Sequence, residues 1–453
     1  MRILYLVHGF PPTALGGTEI YAHALARELV KTHGDELFIL ARESRPERAE
    51  YALRRESQEG LEILWINNTF SGCADFEASY RNPELADAVE AEIEALAPDL
   101  IHAHHLSGLS TELLLRLSKR GLPVLFTLHD YWMICNRGQL FDREHKRCEG
   151  PYPEGCAGCV DSFAIAGGAA LKGSGWAKAI SRRLPWLNPL RDLLKRRLER
   201  LIASRLPADA GLQLTAQRKA HMLELSRHVT RFHSLSKTLH QEYLRLGVEP
   251  ARLELHETGI PQEHLKHIER HPSERLRVGF LGSLIVSKAP HLLVQAFEGI
   301  PASQASLHFF GAIGSYHGDD SYRRLLEPLL AKSHVAAPRT VPHAQIAEAL
   351  GDLDVLAVTS VWLENAPLVI REAFCAGLPV IAPDLGGMAE MVEHGKSGLL
   401  FKPGDSDSLR AAILRLVQEP ELLASLREGL PEVKSVEQDA CETRETYLEL
   451  LSR

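Results

Sequence analysis

Short, wholly apolar runs alternate with longer stretches in which apolar residues return every three or four positions, from the first residue to about Leu416. That alternation is the signature of parallel sheets joined by crossover helices. Ile3 to Val7, Glu36 to Leu40, Leu61 to Ile66, Leu100 to Ala103 and Val124 to Leu128 are the predicted strands of a first domain. Val278 to Leu281, Leu307 to Phe310, Val355 to Val358, Val380 to Ala382 and Leu399 to Phe401 are those of a second. A length of 453 residues exceeds what one hydrophobic core serves, which independently asks for two domains. The polar, two-proline stretch between Ile260 and Arg275 is the predicted boundary, giving domains at 1–265 and 266–430. A closing segment, 431–453, carries an amphipathic helix over roughly Ser435 to Leu451. No internal repeat of solenoid period is present.

Composition narrows the class. Apolar residues at 45% and charged residues at 24% describe an ordinary globular protein, and 51 basic against 59 acidic side chains argue against a general nucleic-acid binder. No run approaches the roughly 20 apolar residues of a membrane-spanning helix. Met1 to Pro12 has one basic residue and a short apolar run, so it reads as a buried first strand and not a signal peptide. A cytoplasmic location with its seven cysteines reduced is the expectation.

The densest chemistry lies between Trp362 and Pro383. Glu364 and Glu372 flank Asn365-Ala-Pro-Leu-Val, and Pro367, with its fixed φ and missing N–H, suits the first turn of a helix that stops at Gly377. The unpaired N–H groups of that helix start favour an anion such as a diphosphate, while the carboxylates can accept hydrogen bonds from hydroxyls. A solvated loop Glu and a helix-start Glu that merely suits the local dipole are the plainer reading.

Glu-Asn-Ala-Pro-Leu-Val-Ile-Arg-Glu-Ala, Gly-Leu-Pro-Val-Ile-Ala and Gly398-Leu-Leu-Phe together resemble the donor-binding half of the family 4 retaining glycosyltransferases, whose GT-B fold sets two Rossmann-like domains across a cleft. The resemblance implies an α/β protein that moves a hexose or hexosamine from a UDP- or GDP-sugar to a glycan or lipid-linked glycan, in polysaccharide or lipopolysaccharide biosynthesis. It implies donor contacts from Gly16 and Gly17 after the first strand, from Gly282, Ser283 and Lys288 after the first strand of the second domain, and from Gly311 and Val341. Glu364, Asn365, Ala366, Pro367, Leu368, Val369 and Glu372 complete that set, with His129, Lys288 and Glu364 at the reacting centre. Val341-Pro342-His343 resembles the loop that contacts the base. Ser283 stands where the family carries an arginine that helps clamp the diphosphate, so Lys288, backbone N–H groups or another basic residue must carry it. Retention in this family is thought to proceed by front-face attack with no catalytic metal, unlike the covalent route of retaining glycosidases. A non-catalytic sugar-nucleotide-binding scaffold and a nucleotide-sugar hydrolase or epimerase are the alternatives. The missing Gly-x-Gly-x-x-Gly spacing counts against an oxidoreductase.

Two features stand outside the resemblance. Cys135, Cys148, Cys156 and Cys159 lie in an insert, 131–161, rich in Gly, Pro and charge. Four thiolates there can close a structural zinc site, with free thiols the next reading and disulfides the last. Within a segment spanning 172–230, residues 175–205 are strongly basic with interleaved Trp and Leu. That pattern suits a helix on an anionic membrane surface, which would place the protein peripherally on the inner face of the cell membrane, or a solvated face of the first domain. His102, His104 and His105 invite a metal reading, but a cleft-wall segment is favoured.

Overall fold

Strands apolar on both faces need helices on both sides. The computed structural model describes residues 1–148, 153–160, 209–266, 268, 270, 272–332, 335–342 and 345–452, and it contains two such sheets. The first holds β1 (Arg2–Val7), β2 (Glu36–Glu43), β3 (Leu53–Gln58), β4 (Leu61–Asn67), β5 (Leu100–Ala103), β6 (Val124–Leu128), β7 (Arg231–Ser234) and β8 (Leu253–Leu255), in the order β3-β4-β2-β1-β5-β6-β7-β8. All its pairs are parallel except β3 with β4. The second holds β9 (Leu276–Leu281), β10 (Ala305–Phe310), β11 (Val355–Ala357), β12 (Val380–Pro383) and β13 (Gly398–Phe401), ordered β10-β9-β11-β12-β13 and wholly parallel.

Alternation along β1 shows how the first sheet is buried. Ile3, Tyr5 and Val7 enter a core made with the Gly17–His33 helix, whereas Leu4 and Leu6 face a core made with the Pro83–Leu96 and Thr111–Lys119 helices. The Val436–Leu451 helix crosses back and completes the first of these cores with Ala440, Tyr447 and Leu450. Its start is fixed by a reciprocal capping box between Ser435 and Gln438. The Tyr447 hydroxyl lies 3.0 Å from that of Tyr5 and 2.6 Å from Nδ1 of His102. Asp439, wholly buried, accepts from His256 Nε2 at 2.6 Å and from the Gly259 N–H at 2.7 Å.

In each sheet the order reverses once, between β1 and β5 and between β9 and β11. There the connections leave in opposite directions and open a crevice at the carboxyl ends of the strands, the usual place for a ligand in an open α/β sheet. All ten predicted strands are present; β3, β7 and β8 were not predicted. The basic stretch 175–205 lies outside the described residues. No described helix is long and apolar enough to cross a membrane.

Candidate functional site

Lys288 lies on the loop after β9 and Glu364 on the loop after β11, the two strands that flank the reversal in the second sheet. Their side chains meet: Lys288 Nζ donates to Glu364 Oε1 at 3.0 Å. The same oxygen accepts from Ser360 Oγ at 2.7 Å and Trp362 Nε1 at 3.1 Å. Glu364 is only 6% exposed, and its Oε2 has no partner among the described residues, which leaves one acceptor held at fixed orientation. The backbones are tied as well, since Val361 N–H donates to Ser287 O and Thr359 Oγ1 to Lys288 O.

Asn365 bolts this loop to the first domain. Its amide donates to the carbonyls of Leu128 and His129 and its Oδ1 accepts from Ser236, which ties the end of β6 to the Glu364 loop. His129 is thereby next to Glu364's neighbour. Its Nε2 is 3.2 Å from His104 Nδ1, and burial first, then nearby His104, His105 and His8, hold its pKa well below the ordinary value, which keeps the imidazole neutral. Gly387 N–H donates to Glu364 O, and a methyl on Gly387 would overlap the Asn365 carbonyl oxygen. Gly387→Ala is therefore expected to displace the Glu364 loop. The check is a lower melting temperature; an unchanged one would contradict this bracing.

Gly16 caps the Gly17–His33 helix, and Gly17 faces Leu368 across the crevice. Behind them His8 Nε2 lies 3.1 Å from Glu19 Oε1, and burial raises the Glu19 pKa. Sequence reasoning passed over Glu19 and His8, although both stand in the Gly-Gly motif. Gly282 and Gly311 need their positive φ of 130° and 151°, and they bring the loops after β9 and β10 so close that a side chain on Gly311 would strike the Gly282 carbonyl. Ser283 is exposed. Val341 is half-buried among the apolar residues of the second domain, and His343 lies outside the described residues.

Pro367 proves to be the cap of the Leu368–Cys375 helix, its ψ of 119° being extended, so the helix starts one residue later than its φ alone suggested. Ala366 and Val369 flank that start. Glu372, one turn on, is not brought to Glu364: it lines a small enclosure with Tyr21, Gly259, Pro261, His264 and Leu368. His102 and His104 do not form the cleft wall either, being fully buried beneath Tyr447 and Tyr5, while His105 lies against His8 and Asp130. Beside the Lys288 loop, a cavity of about 500 Å³ separates Val286, His291, Leu292 and Val361 from Phe141 and His145 of the first-domain insert.

The four insert cysteines are half-buried and none is in a disulfide. Burial, and then the nearness of Cys135, Cys148 and Cys159, raises the Cys156 pKa to about 11. Among the described residues no group of three or more His, Cys, Asp or Glu side chains is arranged to hold a metal ion. Of the other cysteines, Cys73 is buried, but Cys441 is exposed, 3.9 Å from His33 Nε2.

Two family profiles match, one in each domain: "Glycosyltransferase Family 4" over residues 15–153 and "Glycosyl transferases group 1" over 261–432. A D-inositol 3-phosphate glycosyltransferase of Rhodococcus erythropolis is 29% identical over 240 residues, 50% of this chain and 53% of that protein. A putative colanic acid biosynthesis glycosyltransferase, WcaL, of Salmonella typhimurium is 24% identical over 174 residues, 37% of this chain and 43% of that protein. The chain thus spans about half the length, or less, of these curated relatives. Among solved structures, a sucrose-phosphate synthase of Thermosynechococcus elongatus superposes with a TM-score of 0.68 at 20% identity, covering 100% of both chains. Anabaena HepE in complex with UDP and glucose does so with 0.63 at 16% identity, covering 99% of both. Two reversed parallel sheets, the joined Lys288 and Glu364 loops and both profiles agree: the chain belongs to the family 4 glycosyltransferases and has the GT-B fold.

Proposed function

We propose that this protein is a retaining glycosyltransferase that moves a hexose or hexosamine from a UDP- or GDP-sugar to a glycan or lipid-linked glycan in polysaccharide or lipopolysaccharide biosynthesis. The observation that carries this reading is the Lys288–Glu364 pair at the second sheet's reversal, with no partner on Glu364 Oε2 among the described residues. In the mechanism, Oε2 accepts a hydrogen bond from a donor-sugar hydroxyl and fixes the ring. Lys288 stands where the diphosphate departs and stabilises its growing charge, an electrostatic effect that acts mainly in the transition state. His129, neutral, accepts or donates one hydrogen bond at the sugar without adding charge, and Glu372 accepts from the ribose. The acceptor oxygen attacks from the leaving group's side, and the departing phosphate takes its proton, so no protein nucleophile or catalytic metal is needed. UDP in the HepE structure supports a nucleotide donor.

The test is acceptor-dependent release of UDP or GDP from a panel of nucleotide sugars, offered with glycan and lipid-linked acceptors. Release that needs no acceptor would mean a hydrolase or epimerase, and binding without release would mean a scaffold.

Two accessory roles belong to the same reading. Cys135, Cys148, Cys156 and Cys159 would hold a structural zinc that staples the insert; the observation that fits is four half-buried cysteines outside any disulfide, close enough that Cys135, Cys148 and Cys159 push the Cys156 thiol up. Elemental analysis of the purified protein should give about one zinc per chain, and Cys156→Ser with Cys159→Ser should abolish it; a metal-free, folded wild type would contradict the site. The basic stretch 175–205 would seat the enzyme on an anionic membrane, so flotation with phosphatidylglycerol vesicles should capture it at low salt and release it at high salt. Absence of binding at low salt would remove that role.

A further inference from the structure

Lys288 is the only cation brought to the Glu364 loop by hydrogen bond or ion pair among the described residues, and its charge is already answered by that carboxylate. Asp130 and Glu19 add negative charge on the facing side. A diphosphate carries more than one negative charge, so a crevice furnished in this way is short of positive charge for it. Ser283, exposed on the same loop as Lys288, has none to give.

We infer that Arg137, carried on the cysteine-containing insert of the first domain, reaches across the crevice and binds the diphosphate of the nucleotide donor. The inference rests on the glycosyl-transfer reading above and names the group that completes its phosphate site.

The insert leaves β6 directly, and residues 131–138 close a tight turn: Tyr131 N–H donates to Gly138 O, Cys135 N–H to Tyr131 O and Gly138 N–H to Cys135 O. Gly138, with φ of 79°, packs on Asp130, one residue beyond His129. Arg137 therefore starts from the crevice edge of the first domain. Its Nε donates to Phe141 O at 2.9 Å, and its guanidinium lies 5.4 Å from the ring centre of Tyr316, which belongs to the second domain. The Tyr316 hydroxyl donates to Gln139 Oε1 at 2.9 Å, the Phe141 ring meets the Tyr316 ring edge-on, and His145 lies 3.8 Å from Asp319. The arm is thus seated on the loop after β10.

That loop runs beside Ser283. Leu284 N–H donates to Ala312 O at 2.9 Å, Gly314 N–H to Leu284 O at 3.4 Å, and Gly311 abuts Gly282. Arg137 is thereby held on the loop after β10, which pairs with the loop that carries Ser283 and Lys288. Its partners are the Phe141 carbonyl and the Tyr316 ring, and no carboxylate among the described residues forms an ion pair with it. A guanidinium is also the side chain best matched to phosphate oxygens, through two parallel N–H donors.

Calorimetry with UDP, GDP and ADP, and with the matching monophosphates, tests this on the full chain. For whichever diphosphate the wild type binds, Arg137→Ala should weaken affinity about 10- to 100-fold, the range of a charged hydrogen bond. The preference for diphosphate over monophosphate should shrink by a similar factor, because the base and ribose contacts are untouched. Arg137→Lys should keep part of the affinity, and Arg137→Ala with Ser283→Arg should regain most of it by placing the charge on the neighbouring loop. If Arg137 only latches the two domains, monophosphate and diphosphate will weaken together and Ser283→Arg will not rescue, which overturns the inference. Unaltered diphosphate affinity in Arg137→Ala overturns it too, while leaving the glycosyl-transfer reading intact. A wild type that binds none of the diphosphates refutes that reading and this inference with it. Should Arg137→Ala fail to fold, Arg137→Gln carries the same comparison.

Discussion

Glu364→Gln is expected to lower acceptor-dependent nucleotide release by about 10²- to 10³-fold, the usual result of removing one preorganised electrostatic contact to a transition state. The amide keeps the shape of the side chain and can still accept from Ser360 Oγ and Trp362 Nε1 at the former Oε1. What it loses is the negative charge facing Lys288 and a second oxygen able to accept from sugar, since an NH₂ group would point there instead. Affinity for the nucleotide alone should hold or tighten, because Lys288 then faces a neutral amide oxygen at 3.0 Å in place of a full negative charge. Lys288→Ala should show the reverse emphasis, losing diphosphate affinity as well as turnover and leaving a buried carboxylate without its cation. Single-turnover rates and nucleotide titrations on the two variants separate these roles. Equal loss of nucleotide binding in both would mean that the pair merely holds the loops together, and wild-type turnover in Glu364→Gln would end the proposed mechanism.

Between pH 6.5 and 5 the protein should lose stability steeply. His102, His104 and His233 are fully buried, and burial holds all three well below the ordinary histidine pKa, His104 at about 3. Nε2 of His104 and of His233 has no partner among the described residues, so nothing there would welcome a proton. Unfolded, each titrates near ~6.5. The sign follows: these depressed values favour the native state fully above that pH, and the advantage is lost as pH falls toward the folded values. Each contributes about 1.4 kcal/mol per pH unit over that span, or about 4 kcal/mol per unit for the three, against a total stability on the order of 5–15 kcal/mol. Asp439 adds to the trend lower down. Burial pushes its carboxyl up, but the hydrogen bonds from His256 and the Gly259 N–H and the charge of Lys434 outweigh that and keep it low, so its contribution vanishes only in stronger acid. Urea unfolding at pH 7.5, 6.0 and 5.0 is the measurement, and His104→Gln should flatten the dependence. A midpoint that stays constant across this range would show that these imidazoles accept protons without unfolding.

Strands such as Val124–Leu128 could be read from the chain because both of their faces are buried, which makes every position apolar. β3, Leu-Arg-Arg-Glu-Ser-Gln, carries no such run because it closes an edge of the sheet, and β7 and β8 are too short and polar to announce themselves. Lys288 and Glu364 were legible because each stands in a local motif. Their union was not, nor was the bolt from Asn365 to Leu128, which joins positions 237 residues apart. Glu19 escaped notice because one acid at a helix start resembles any other until His8 is found beside it. The seating of the insert on Tyr316 likewise depends on two domains meeting, which no periodicity records.

Tyr5 and Tyr447 touch although 442 positions separate them. During synthesis, then, the lobe that emerges first cannot seal itself: the apolar trough beside Tyr5 and Leu25 stays wet until the ribosome has delivered Ala440, Tyr447 and Leu450. A fragment trimmed to the first lobe alone would leave that trough open for other chains to stick to.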